Sequence, residues 1–286
     1  MISFRLLEPS DLPALRRAYN DAFADHVLRI HMDEEQFAQK IANDGVDLSY
    51  SPGAFEGERL VGFIMHAPGF WANRLTVYNA ATGVTPAWRG KGLTQQMYEF
   101  VQPALRTMDV EQCLLEVIRE NSAAWRSYEK VGFEETRRFN CYRIDLPATW
   151  RDAPDVRITH GPIKEAQLRS QRVWLDRMPS WQNSLDAVLR SPRDKIYLQA
   201  WVDEDNAAGY AIVQKGTGRI VQFAVNPDYR RHGVATALFR QMGRLSYSDS
   251  LNVLNIDSDK NSIHGFLLSL GFKPAYRQYE MHLLLN

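Results

Sequence analysis

The chain has only two cysteines, Cys113 and Cys141, among its 286 residues. That is too few for a disulfide framework at this length, so both read as buried free thiols. No run of 18 apolar residues occurs, and a membrane-spanning helix is not expected. Met1-Ile2-Ser3-Phe4-Arg5 does not open a secretory signal. An excess of one charge is missing as well: Lys+Arg and Asp+Glu are each 34, and the formal net charge is zero. No global field draws the chain to nucleic acid or to anionic lipid, which leaves only local patches. A cytoplasmic protein without nucleic-acid or membrane partners is the expectation. His26 and His31, near Asp25 and Asp33, lie five residues apart. This is no recognised ligand spacing, and no metal is expected.

What is present is a repeat. With 45% hydrophobic and 24% charged residues the composition is that of an ordinary globular protein, and the length suits two domains. The stretch Val84-Thr85-Pro86-Ala87-Trp88-Arg89-Gly90-Lys91-Gly92-Leu93-Thr94 follows a β-branched apolar run. A helix-period stripe leaves it: Leu93, Met97, Phe100, Val101, Ala104, Leu105 and Met108. It therefore reads as strand, glycine loop and helix N-terminus, where unpaired amides and the peptide dipoles favour an anion. Two glycines admit a bulky diphosphate, and Arg89 and Lys91 add charge. A Walker loop is excluded because Lys91 is followed by glycine. A Rossmann fingerprint is excluded because Gln95 stands where its third glycine belongs. Val225-Asn226-Pro227-Asp228-Tyr229-Arg230-Arg231-His232-Gly233-Val234-Ala235 repeats the stretch without a gap, 141 residues later. Gly62-Phe63 recurs as Gly209-Tyr210, Asn121 as Asn261, and Gly132-Phe133 as Gly271-Phe272. A period of half the chain means duplicated domains rather than a solenoid.

Both loops resemble the pyrophosphate loop of the GCN5-related N-acetyltransferases, [QR]-x-x-G-x-[GA]. The first departs from it only at Thr94; the second matches through Arg230, Gly233 and Ala235. The chain thus resembles a tandem acetyltransferase over nearly its whole length. The resemblance implies an α+β fold: two tandem GNAT domains, each a mixed, mostly antiparallel sheet flanked by helices. It also implies acetyl-CoA as co-substrate, with no metal. Its pyrophosphate would sit on Arg89, Gly90, Lys91, Gly92, Leu93 and Thr94, and its pantetheine arm on the main chain near Val84. Val225, Arg230, Arg231, His232, Gly233, Val234 and Ala235 are the second set, with Asn121 and Asn261 as further CoA contacts.

The element pattern agrees. Prolines bracket 147–154, the best linker, and divide the chain into 1–146 and 155–286. Ser10 reads as the cap of a first helix, strands end at Gly57 and at Pro68-Gly69, and Pro103 predicts a kink or break near Val101. Phe133 to Leu146 is expected to supply the last strands of the first copy, and Ala275–Leu285 the last of the second. The segments 25–33 and 66–74 are candidate acceptor loops. Trp71, Tyr78 and Trp88 read as core aromatics more readily than as pocket lining.

Acetyl transfer to an amine needs a base to deprotonate it and an acid for the departing thiolate. The run Leu115 to Phe133 resembles the corresponding segment of the ribosomal-protein N-terminal acetyltransferases. That likeness implies Tyr128 as general acid and Glu116 as base. Counting from Asn261, the second copy has Leu268 and Ile256 at these places, both aliphatic. The expectation is a catalytic N-terminal domain acting on a primary amine by direct attack, with a C-terminal domain degenerate at the acid and base positions. The competing reading is a non-catalytic acyl-CoA-binding or sensor protein. Monomer and homodimer both remain open.

Overall fold

The computed structural model describes residues 1–25, 31–148, 150, 156–259 and 261–285, without the Asn261 side chain. His26 and most of the expected linker 147–154 lie outside the described residues. The chain forms two compact units, Met1–Arg137 with Tyr279–Asn286, and Arg138–Gln278.

The first unit runs β1 (Ile2–Leu6), α1 (Leu12–Phe23), α2 (Glu34–Asp44), β2 (Pro52–Glu56), β3 (Arg59–Trp71), β4 (Arg74–Val84), α3 (Leu93–Thr107), β5 (Gln112–Ile118) and α4 (Ser122–Val131). β6 (Glu134–Asp145) follows. The second unit continues with β7 (Arg157–Gly161), α5 (Glu165–Gln171), α6 (Leu185–Arg190), β8 (Lys195–Trp201), β9 (Ala207–Gln214), β10 (Arg219–Val225), α7 (Val234–Leu245), β11 (Ser250–Asp257) and α8 (Asn261–Ser269). The last strand is β12 (Lys273–Leu284). Sheet order is β1-β2-β3-β4-β5-β12 in the first unit and β6-β11-β10-β9-β8-β7 in the second. β4–β5 and β10–β11 are parallel, and the other recorded pairs are antiparallel. Helices on both faces of a mixed sheet make this an α+β fold in duplicate.

The strand beside β5 in the first unit is the chain's last. Met281 and Leu285 are buried in the core that α3 and α4 form with β5. Leu285 N donates to Glu111 O at 2.8 Å. Conversely, Phe139 to Asp145 of β6 pair with β11 in the second unit. The compact units therefore assign 138–146 to the second half and 279–286 to the first, where the sequence boundaries stood at 1–146 and 155–286.

Local chemistry explains the departures from the expected elements. β3 continues through Pro68-Gly69 to Trp71. His66 turns its N–H to Ser51 Oγ and its carbonyl to Asp47 N, away from β4. Pro68, two residues on, faces the same side, so its missing N–H removes no bond of the ladder. The hairpin closes at Ala72 and Asn73, both at positive φ (50° and 62°), so 66–74 is mostly strand rather than a loop. α3 runs unbroken through Pro103, whose lost bond frees the carbonyl of exposed Glu99 to water. In the stripe of α3, Tyr98 is fully buried, whereas Phe100 is 38% exposed. Asp11 rather than Ser10 ends the turn before α1, holding Glu8 N and Arg5. Cys113 and Cys141 are buried thiols outside any disulfide, and burial pushes the Cys113 thiol far up.

Candidate active site

The two loops have one geometry. Gly92 (φ 73°) precedes α3 and Gly233 (φ 79°) precedes α7, each in the left-handed region. Two residues earlier Gly90 (φ 74°) and Arg231 (φ 67°) are left-handed as well. Leu93 and Val234, first in their helices, are buried and pin the loops to the cores. Neither first turn contains an acidic residue. Other helices bring their own cap: Asp33 Oδ1 accepts from Gln36 N, Asn121 Oδ1 from Ala124 N, and Ser184 Oγ from Ala187 N. At α3 and α7 the N-cap is glycine, so the N-terminal amides are left for a ligand, and an anion suits them.

The loop arginines have a structural task. Arg89 donates from Nε to Val84 O (3.3 Å), and to Ala22 O (3.0 Å) and Asp25 at the end of α1. Arg230 repeats this with Val225 O (3.2 Å), Trp174 O (3.1 Å) and Asp176 (3.0 Å). Both guanidinium groups thus brace the loop against the helical segment after the first strand of their unit. The other cationic side chains of the loops are Lys91, whose Nζ lies 4.1 Å from the Trp88 ring centroid, and exposed Arg231, with exposed His232 beside it. Asn121 spends Oδ1 on its helix cap. Thr94 and Ala235 are half-buried in their first turns.

Each loop follows a place where the sheet opens. β4 and β5 pair from Thr76↔Gln112 to Asn79↔Leu115 and no further, although β4 continues to Val84 and β5 to Ile118. On the other edge of β4, Ala80 is an extra residue between His66↔Asn79 and Met65↔Ala81. β10 and β11 part after Ile220↔Val253, beside the corresponding bulge at Val221. A bulge sharpens the local twist and turns the strand end away from its partner. The result is a gap in the ladder that leads up to the glycine loop.

In the first unit, a carboxylate and a phenol flank that gap. Leu115 and Val117 face α3 and α4, so Glu116 between them faces the other side of the sheet, where Tyr78 donates to its Oε2 at 3.2 Å. On the helix side Tyr128 is buried, with Tyr98 at 6.4 Å between ring centroids. Burial raises the Tyr128 pKa, opposed by hydrogen bonds with Thr82 and Asn79, so the phenol holds its proton. Asn79 also donates to Thr82 Oγ1 (2.7 Å) and Tyr98 Oη (2.9 Å), which completes a polar cluster at the end of the β4–β5 ladder. Asn79, Thr82 and Tyr98 escape the sequence reading because no motif marks them; Asn79 in a buried strand is the one available signal.

Known proteins bear on this geometry. The profile of the acetyltransferase (GNAT) family matches residues 12–133 and again 162–272. The chain belongs to this family. No curated protein matches it in sequence. Among solved structures, a GCN5-related N-acetyltransferase from Sphaerobacter thermophilus superposes with a TM-score of 0.73 at 18% identity, over 100% of this chain and 96% of that one. A tandem GNAT protein from the clavulanic acid biosynthesis pathway gives a TM-score of 0.71 at 14% identity, over 100% and 99%. A putative acetyltransferase from Pyrococcus horikoshii gives 0.69 at 16% identity, over 99% and 89%. At such identities the likeness is one of fold. Membership of the GNAT family implies an acyl-CoA co-substrate.

The second GNAT repeat lacks the pair, and packing corrects which residues replace it. Phe133 N donates to Tyr128 O, and Phe272 N likewise to Leu267 O. The counterpart of Tyr128 is therefore buried Leu267, whereas Leu268 is 44% exposed. β11 gains one residue at Asn255 (φ 60°), which shifts its register with β6 between Val253 and Ile256. Ile256 then packs on the helix side with α7 and α8. Asn255 takes the Glu116 side, its Nδ2 donating to Ser180 Oγ at 2.9 Å. Neither an aliphatic side chain nor a carboxamide moves a proton here. Among the described residues no group of three or more His, Cys, Asp or Glu could hold a metal, and no helix is long and apolar enough to cross a membrane.

Proposed function

We propose that the first unit is an N-acetyltransferase that moves an acetyl group from acetyl-CoA to a primary amine, and that the second unit binds without turnover. One observation carries the reading: a glycine-capped helix, a sheet gap and an acid–carboxylate pair coincide in the first unit, while the second has the first two alone. Bound acetyl-CoA supplies an activated acyl group. The amides of Gly90 to Thr94 hold the diphosphate, Lys91 adds charge, and the free edge of β4 near Val84 receives the amide-bearing arm. Glu116 takes the proton of the amine, which must be neutral to attack. Tyr128, kept protonated by its burial, gives its proton to the departing sulfur. The two groups work from opposite faces of the sheet, so acceptor and donor approach the gap from different sides.

Acetyl-CoA calorimetry on Gly92→Glu and Gly233→Glu, each checked for folding, tests this assignment. An added Cβ at Gly92 meets nothing closer than Gln96 Nε2 at 3.6 Å, but the φ of 73° strains any L side chain, so retained folding is established before a loss is ascribed to the ligand. Loss of amine acetylation with the Gly92 lesion, and its survival with the Gly233 lesion, is the expected result. Turnover that depends on Gly233 alone overturns it.

A further inference from the structure

The C-terminal end of α7 borders a cavity of about 490 Å³ that the reading above does not use. α7 has 12 residues, which place about 18 Å of helix between this cavity and the loop at Gly233. Its wall carries His160 from β7, Arg193 and Lys195 around the start of β8, Lys215 after β9, and Arg244 and Tyr247 around the end of α7. Among the described residues, no carboxylate lines it. Arg193, Lys215 and Arg244 make no ion pair among the described residues, whereas Arg177 and Arg230 of the same unit each face an aspartate.

The lining residues divide the work. Lys195 is already engaged: its Nζ donates to Ala187 O, Val188 O and Ser191 O at 3.2, 3.3 and 2.9 Å, tying the end of α6 to the wall. Burial lowers its pKa, against the pull of Asp194, with smaller contributions from Arg219 and Arg190. Tyr247 is 81% exposed, yet its N–H donates to Lys215 O at 2.9 Å and its ring lies 5.3 Å from Lys215 Nζ. A ring anchored by its backbone in the open, beside cations without counterions, offers a stacking face next to an anion site.

We propose that this cavity binds a small organic anion that carries a flat ring, of the aryl phosphate class. Arg193, Arg244 and Lys215 take the anionic group, and Tyr247 covers the ring. The volume suits a small ligand. The alternative, a merely solvated basic surface, has no preference for the ring and does not saturate.

Phenyl phosphate titrated calorimetrically into the full chain at low salt tests the site, with inorganic phosphate and phenol as part-probes. Saturable binding with Kd about 1 mM or tighter is expected. Arg193→Ala/Arg244→Ala should weaken it about tenfold or more. Tyr247→Ala should weaken phenyl phosphate about threefold to tenfold and leave inorganic phosphate unchanged. Gly233→Glu should leave phenyl phosphate binding intact, which separates this site from the glycine loop. Absence of saturation, affinity unaltered in the double variant, phenol binding as tightly as phenyl phosphate, or loss with Gly233→Glu alone overturns the proposal.

Discussion

Acidification probes the packing behind the candidate active site through His66, which pairs across the ladder with Asn79 beside the β4 bulge. The imidazole is fully buried. Its Nδ1 lies 2.7 Å from Tyr50 O and, since a carbonyl only accepts, carries the proton. Its Nε2 has no hydrogen-bond partner among the described residues. Burial lowers the pKa from 6.5 to about 4, against the opposing bond to Tyr50. Between those values the unfolded chain binds a proton that the folded chain refuses, so stability falls as pH drops through 6.5 and levels off below about 4. The full span corresponds to about 3 kcal/mol, of which about 2 kcal/mol is lost by about pH 5. Urea unfolding of wild type and His66→Gln between about pH 7.5 and about pH 4.5 reads it. Other groups, such as Asp11 held low by Arg5, titrate in both proteins and cancel in the difference. The stability gap between wild type and variant should narrow by about 2 kcal/mol on acidification to about pH 5. Parallel pH profiles would refute the reasoning, because the imidazole would then accept its proton in the folded state without penalty.

Three further outcomes are expected. Tyr128→Phe should lower kcat about a hundredfold while acetyl-CoA affinity stays within about twofold, and steady-state kinetics with calorimetry check it; an unaltered kcat removes Tyr128 from the mechanism. Ending the chain after Gln278 removes Met281 and Leu285 from the first core and strips Arg137 of buried Glu280. It should destabilise the first unit by about 4 kcal/mol or more in urea unfolding, and a wild-type midpoint would contradict the strand assignment. Gly218 has φ +66°, and a Cβ there would lie 1.8 Å from Ser250 O. Gly218→Ala should therefore lower stability by about 2 kcal/mol or more, and an unmoved midpoint refutes this.

The glycine loops were legible in the sequence because their cause is local. A β-branched run, two residues at positive φ and a helix-period stripe lie within a few turns of one another, and their repetition 141 residues later revealed the duplication. The resemblance pointed to Tyr128 and Glu116, and the structure sets them on opposite faces of the sheet. Other features depend on what distant segments supply. Arg89 resembles a phosphate ligand in sequence, yet Asp25 and Ala22 O engage it. Asn255, rather than Ile256, takes the Glu116 side because one bulge inverts the alternation of β11, and alternation is all that a linear pattern records. That β12 completes the first unit could not be read from either repeat, since a strand's pattern specifies a buried face but not the edge it joins. Local propensity and periodicity in the sequence thus determined the elements, the duplication and the glycine loops. Only the tertiary structure decided which half owns which strand and which charges are left over for ligands, because those follow from pairing between residues far apart in the chain.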